Sequence, residues 1–303
     1  MVETPEITAK SWLMILTLGF VWGGTFMVQD LALDSAPPLW VAGGRIGFAA
    51  VLTGSIWMLR GAKMFTSSQT AWGELIAAAV LSAAAPFMLL AWGQQYVTSS
   101  FTGVSMAAVA LIVLPLAHFA LPGERLTLRR IIGFVIGFAG ILVLMGPEAF
   151  ASSGDGNEMW GRLACLGAAA CYATSSVLLR RLPPLDPVGL SAATLLIGSA
   201  VVLPLAVISH GAPVNPGTKG LFLIAILGLI PTATANLLRI LVARSAGPVF
   251  MSLTNYQVPL WSVALGVIFL GEPLHPSLLW ALLLILTGVA LSQYGALKRL
   301  FSR

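Results

Sequence analysis

One arginine stands where a cation is costly. Arg45 lies inside an apolar stretch, 38–60, that holds no Asp or Glu. A cation in such a segment costs at least about 2.5 kcal/mol and normally faces a cavity or a partner. Two chemistries fit it. Arg45 can bind the carboxylate of a zwitterionic or anionic solute. It can instead pair with Asp30 or Asp34 just upstream, or cap helix-end carbonyls, since a long arginine can snorkel that far. Other segments carry polar and aromatic residues at helical spacing. Trp22, Thr25, Phe26 and Gln29 form one such stripe, and Tyr172, Ser175 and Ser176 a second. Thr232, Asn236 and Arg239 form a third; Ser252, Asn255, Tyr256 and Pro259 a fourth. Each set shares a helix face. Hydrocarbon cannot hydrogen-bond these groups, so the faces turn inward, either to line a solute path or to bond across helices at about 0.6 kcal/mol each. As a solute site, Trp22, Phe26, Tyr172, Tyr256 and Trp261 would bury an apolar side chain. Arg45, Asn236 and Asn255 would meet its polar groups. Arg239, nearer a helix end, can snorkel. His118 could move a proton or simply pack.

Prolines mark where helices bend, because each lacks a backbone donor. Pro86 and Pro231 occupy roughly corresponding positions in the two halves of the chain, and paired interruptions point to a transport site; Pro115 and Pro259 are similar. Other chemistries lack their residues. There is no Walker A loop, no metal-ligand spacing and no exposed Ser/His/Asp set, so no cofactor, metal or covalent catalysis is expected. Cys165 and Cys171 read as small packing residues.

The elements that hold these residues follow from composition. The chain has 303 residues, of which 9% are charged, against roughly 25% in ordinary globular proteins. Its mean hydropathy is +0.93. So few charges cannot cover a water-facing surface, which excludes a soluble enzyme, a nucleic-acid binder and a disordered chain. Apolar stretches long enough to cross a bilayer, about 20 residues each, occur ten times: 11–29, 38–60, 72–96, 99–121, 128–145, 160–180, 187–208, 219–243, 248–270 and 274–295. The fold class expected is all-α and membrane-spanning. Of the 16 Lys and Arg, twelve (Lys10, Arg60, Lys63, Arg125, Arg129, Arg130, Arg180, Arg181, Arg244, Lys298, Arg299 and Arg303) fall on the side of the N-terminus; only Arg162 and Lys219 fall on the other. That bias predicts cytoplasmic termini. Asp30, Asp34, Glu148, Asp155, Glu158 and Glu272 gather on the opposite side.

The chain also repeats. Gly123-Glu124-Arg125-Leu126 is echoed 148 residues later by Gly271-Glu272-Pro273-Leu274, and Gly140 by Gly288. Trp22-Gly23-Gly24-Thr25-Phe26 lines up with Tyr172-Ala173-Thr174-Ser175-Ser176 at an offset of 150. The chain thus divides near the polar loop 146–159 into halves 1–147 and 148–303, each with five spans. Five is odd, so the halves enter the membrane in opposite directions, as in secondary transporters. Gly19-x-x-x-Gly23, Gly43-x-x-x-Gly47 and Gly133-x-x-x-Gly137 permit close helix packing within the bundle.

Trp22, the Arg45 pattern, the two Gly-Glu-x-Leu signatures and the ten spans in two halves resemble the drug/metabolite transporter superfamily. Each half is similar to one EamA-type module, and the bacterial amino-acid exporters of the YddG type are the nearest likeness. The resemblance implies two inverted repeats around a central cavity lined by helices 1, 3, 4, 6, 8 and 9, with alternating access. At Tyr172 the family often carries Trp, so this chain adds a hydroxyl there. The mid-membrane glutamate of the small multidrug exporters has no counterpart, which disfavours proton-coupled export of cations. The function expected is export or facilitated passage of small neutral or aromatic amino acids by a monomer in the bacterial inner membrane, its partners being the solute and the lipid bilayer. Two alternatives stand: a carrier of anionic sugar-phosphates or nucleotide-sugars, which needs two convergent cations, and a membrane-embedded lipid-modifying enzyme.

Overall fold

The computed structural model describes residues 7–62, 64, 71–121, 126–146, 157–213 and 215–301. Gly123-Glu124-Arg125, Lys63, Arg303, and Glu148 and Asp155 of the central loop lie outside the described residues. Among the described residues every regular element is helical. The long helices are α1 (Ala9–Leu33), α2 (Pro38–Leu59), α3 (Trp72–Gly93), α4 (Ser99–Ala120), α5 (Leu128–Met145), α6 (Glu158–Arg181), α7 (Pro187–His210), α8 (Gly217–Ala243), α9 (Thr254–Leu270) and α10 (Pro276–Phe301). All except α9 are long and apolar enough to cross a membrane.

Two bounds differ from expectation. The span expected over 248–270 is split into a turn of helix, Pro248–Met251, and the 17-residue α9. The Thr254 hydroxyl donates to the Met251 carbonyl at 2.6 Å, a local bond that competes with the helical ladder. At 1.5 Å per residue α9 alone spans about 26 Å, and the preceding turn supplies the remainder. Helix α1 continues to Leu33, so Asp30 lies in its last turn rather than in a loop.

Contacts fix how the helices run. Gly133 of α5 faces Gly288 and Ser292 of α10, while Gly140 faces Ile285. These sequence-equivalent helices are therefore antiparallel. Gly43 and Gly54 of α2 face Leu203 and Leu196 of α7, making a second equivalent pair antiparallel. Gly19 and Gly23 of α1 meet Gln257 and Trp261 of α9. The Gly19, Gly23, Gly133 and Gly137 motif positions thus sit in contacts within the chain, whereas nothing lies within 4 Å of a side chain placed on Gly47.

Both α3 and α8 are locally wound as π-helix, over Val80–Ala84 and Gly228–Thr234. The first residues of these segments are 148 apart, the offset of the sequence repeat. Pro86 follows the first segment and Pro231 lies inside the second. Pro231 lacks the N–H that an α-helix would aim at the Leu227 carbonyl, and the Thr232 hydroxyl donates there instead, at 2.7 Å. π-Segments of this kind recur at functional sites. Pro115 and Pro259 lie within α4 and α9.

The second Gly-Glu-x-Leu signature has a structural meaning. Gly271 ends α9 at φ +66°, a left-handed conformation open to glycine at no steric cost. That turn delivers the Glu272 carboxylate to the start of α4, where it accepts the Ser99 N–H at 2.7 Å, the Ser100 N–H at 3.0 Å and the Ser100 hydroxyl. Glu272 thus caps a helix of the other half, favoured also by the helix dipole. Glu272→Ala is expected to cost about 2 kcal/mol, read as an unfolding midpoint a few degrees lower in detergent. An unchanged midpoint would mean that the cap adds nothing.

Candidate functional site

The residues singled out in the sequence fall into three groups. The tightest surrounds Arg45, near the start of α2. Its Nε donates to the Thr232 hydroxyl of α8 at 2.8 Å, and its Nη1 to Gln29 Oε1 of α1 at 2.9 Å. Gln29 Nε2 donates to Gln94 Oε1 at 2.7 Å, and Gln94 Nε2 to the Phe26 carbonyl at 3.0 Å. All four side chains are buried, with Arg45 6%, Gln29 1%, Gln94 4% and Thr232 7% exposed. The Phe87 ring lies under the guanidinium, 4.2 Å from its carbon to the ring centroid. Tyr172 stands edge-on to Phe87 at 6.3 Å. A desolvated cation–π contact of this kind contributes about 2 kcal/mol.

Local sequence explains the assembly. Thr232 lies within the π-segment. Gly228, one turn earlier, permits a close approach to α2: a Cβ there would sit 2.6 Å from the Arg45 carbonyl. Gly93 lets the end of α3 lie against α6, where a Cβ would meet the Gly161 carbonyl at 2.9 Å. Gln94 is the residue that caps α3. Trp22 joins from α1, its indole N–H reaching the Pro231 carbonyl at 3.0 Å. Phe26 is buried in the largest apolar cluster, against which Tyr172 and Tyr256 also pack.

This corrects one expectation. Arg45 forms a salt bridge with neither Asp30 nor Asp34 and bonds no helix-end carbonyl; its hydrogen-bond partners are neutral side chains from across the bundle. A guanidinium carries five N–H donors, and Arg45 uses two of them on described residues. The site therefore holds a buried positive charge with donors to offer and no described carboxylate against it. Such a charge is stabilised when an anion docks.

The second group lies further along α8, with Asn236 one turn and Arg239 two turns beyond Thr232. Asn236 donates to the Ser191 hydroxyl of α7 at 2.8 Å and accepts from Arg239 Nε at 2.9 Å. Arg239 itself is exposed. The third group is on α9 and the turn before it. Ser252 bonds Gln293 of α10, Asn255 is exposed, and the buried Tyr256 hydroxyl has no hydrogen-bond partner among the described residues. Trp261 packs edge-on against Phe20 at 5.2 Å, and Phe20 is 47% exposed with Leu13 and Leu16 on the outer stripe of α1. Trp261 therefore belongs to the seam between α1 and α9.

Some stripe residues are accounted for by their own helices. Thr25 donates to the Val21 carbonyl at 2.9 Å, Ser175 to Tyr172 at 2.9 Å and Ser176 to Ala173 at 2.8 Å, which fits the packing role. His118 lies against Phe119, with ring centroids 5.1 Å apart. Gln94 and Phe87 were missed in the sequence. The signal for Gln94 was an amide pair, Gln94-Gln95, at the end of an apolar span, where a buried amide needs a partner. An open groove of about 850 Å³ lies elsewhere, lined by Pro37, Pro38, Met88, Trp92, Gln95 and His210 among others of α2, α3 and α7. It is not the chamber implied between helices 1, 3, 4, 6, 8 and 9.

Comparison with known proteins agrees with the two-part architecture. The model of the EamA-like transporter family matches residues 9–146 and again residues 159–294. The uncharacterized transporter YoaV of Bacillus subtilis is 23% identical, over 96% of this chain and 99% of its own length. The uncharacterized inner membrane transporter YedA of Escherichia coli is 28% identical, over 93% of this chain and 90% of its own. A crystal structure described only as that of a protein superposes with TM-score 0.66 at 19% identity, covering 97% of this chain and 99% of that one. This last likeness bears on the fold alone.

Proposed function

Since this chain belongs to the EamA-like transporter family and is a multi-pass membrane transporter, we propose that its solutes are small neutral amino acids, aromatic ones above all. The observation that carries this is Arg45, a buried cation held by Gln29 and Thr232 with no described carboxylate partner. A solute carboxylate supplies the missing anion. Phe87 lies against that position and Tyr172 against Phe87; Trp22, bonded to the Pro231 carbonyl next to Thr232, and Phe26, whose carbonyl anchors Gln94, add aromatic surface for an apolar side chain. Thr25 and Ser175, their hydroxyls turned to their own helices, line it as small packing residues. Asn236, Arg239, Asn255 and Tyr256 form the remainder of the path toward the other end of the bundle, and Trp261 closes its α1–α9 side. The two halves act as inverted repeats, with the π-segments near Pro86 and Pro231 as the bending points and Pro115 and Pro259 as secondary ones, and access alternates between the two faces.

The protein works as a monomer in the bacterial inner membrane, with both termini cytoplasmic, as the twelve-to-two distribution of basic residues favours. Outward flux is proposed from the sequence resemblance to YddG-type exporters alone. The carboxylates carried by the helices, Asp30, Glu74 and Glu158, all lie in end turns, which favours flux down the solute gradient. A dianion clamp is not favoured. Arg45 and Arg239 are held at Thr232 and Asn236, and Arg239 itself lies two turns, about 10 Å, beyond Thr232.

Proteoliposomes tested with labelled amino acids, with and without a pH gradient, check this. Phenylalanine, tryptophan and leucine are expected to equilibrate faster than in empty vesicles, whatever the gradient. Passage of no amino acid would refute the proposal.

A further inference from the structure

We propose that Gln94 is a positioning residue for solute recognition: through Gln29 it fixes which guanidinium N–H groups of Arg45 are left for the solute carboxylate. This rests on the role given to Arg45 above. The four hydrogen-bonding groups form a directed chain with its sense set at one end. The Phe26 carbonyl can only accept, so the Gln94 nitrogen must face it, at 3.0 Å. The Gln94 oxygen is then turned to Gln29 and accepts its nitrogen at 2.7 Å. Gln29 in turn presents its oxygen to Arg45 Nη1 at 2.9 Å. Were Gln29 reversed, two donors would face each other and Nη1 would lose its partner.

The consequence is geometric. Nε is held by Thr232 and one Nη1 hydrogen by Gln29, which locks the guanidinium plane above the Phe87 ring. Three N–H groups remain, one on Nη1 and two on Nη2, which leaves the Nη1–Nη2 side of the fork to take a carboxylate in two parallel bonds. Neither glutamine carries charge, so orientation is fixed without neutralising the cation. Gln94 does not touch Arg45 and acts only through Gln29. It supplies one link from the end of α3, with α1 supplying both its anchor carbonyl and Gln29.

The test uses counterflow of labelled L-phenylalanine in proteoliposomes, competed by unlabelled L-phenylalanine or by L-phenylalaninamide, which lacks the carboxylate. The readout is the ratio of the two half-inhibitory concentrations. Wild type is expected to prefer the carboxylate strongly. Gln94→Leu is expected to lower that ratio about five- to tenfold while inhibition by the amide stays at its wild-type value. In the Arg45→Met background, where counterflow is lost, the same ratio is read in detergent as competition for bound labelled L-phenylalaninamide, and Gln94→Leu is expected to change it no further, an outcome that a general loss of structure would not give. Gln29→Leu breaks the chain at its next link and must reproduce the effect; it serves also if Gln94→Leu fails to fold. The inference is overturned if Arg45→Met abolishes the preference but Gln94→Leu or Gln29→Leu leaves it at the wild-type value. Absence of counterflow, or of any carboxylate preference in wild type, would instead defeat the role of Arg45 itself.

Discussion

Arg45→Met is expected to end carrier-mediated passage of amino acids while leaving the fold about as stable as before. A solute carboxylate on the guanidinium makes two charge-assisted hydrogen bonds, each contributing about 1.5–3 kcal/mol. Their loss corresponds to a fall of about a hundredfold or more in transport at low solute concentration. Stability follows a different balance. A buried cation without a carboxylate carries a desolvation penalty, and replacing buried charge with an apolar side chain of similar length is often neutral or stabilising. Against that, Gln29 Oε1 and the Thr232 hydroxyl lose the donor they now accept, at about 1–3 kcal/mol for an orphaned group. The two effects oppose each other, so the unfolding midpoint moves by a few degrees at most. Arg45→Lys keeps the charge but loses the planar fork, and its transport should fall between the two. Counterflow and thermal unfolding on the same preparations check this; Arg45→Met protein that unfolds much earlier, or that still transports, contradicts it.

The second large effect concerns stability. Gly288→Leu is expected to abolish recovery of folded protein, because α5 and α10 meet backbone to backbone. A Cβ on Gly288 would lie 2.5 Å from the Gly137 nitrogen, one on Gly133 2.6 Å from the Gly288 carbonyl, and one on Gly140 2.8 Å from the Ile285 nitrogen. No flexible side chain can yield there, so the helices must separate. Inserting even a small group into such a seam costs about 1–3 kcal/mol, and a leucine costs more. Gly47→Ala is the control: nothing lies within 4 Å of a Cβ at Gly47, so alanine should be neutral or slightly stabilising by helix propensity. Yield of monodisperse protein and unfolding midpoints read both variants. A Gly288→Leu protein as stable as wild type would mean that the seam is looser than its contacts.

The helices were legible in the sequence because apolar length alone decides where a chain can cross a bilayer. The span expected over 128–145 coincides with α5, and those over 38–60 and 99–121 overrun α2 and α4 by one residue. The break before α9 was not legible, since it is a local tightening of the backbone, with i→i−3 bonds from Leu253, Asn255 and Tyr256, inside a stretch apolar enough to read as one span. The repeat carried more than topology. Its offset of 148 residues also relates the two π-segments, although Pro86 and Pro231 themselves fall three residues out of step. Arg45 could be found because a cation in an apolar span is anomalous. Its partners could not: Asp30 and Asp34 are nearer in sequence, yet Thr232, 187 residues away, is the bonded neighbour. The stripes located inward faces correctly at Gln29 and Thr232. Thr25 and Ser175 are buried as well, with their hydroxyls donating to their own helices.

The most direct test is an experimental structure with 4-bromo-L-phenylalanine bound, the bromine marking the side chain by its anomalous signal. The carboxylate is expected within hydrogen-bonding distance of Arg45 Nη1 and Nη2, with bromine among Trp22, Phe26, Phe87 and Tyr172. An amino acid bound with its carboxylate away from Arg45, and Arg45 still held only by Gln29 and Thr232, would contradict it.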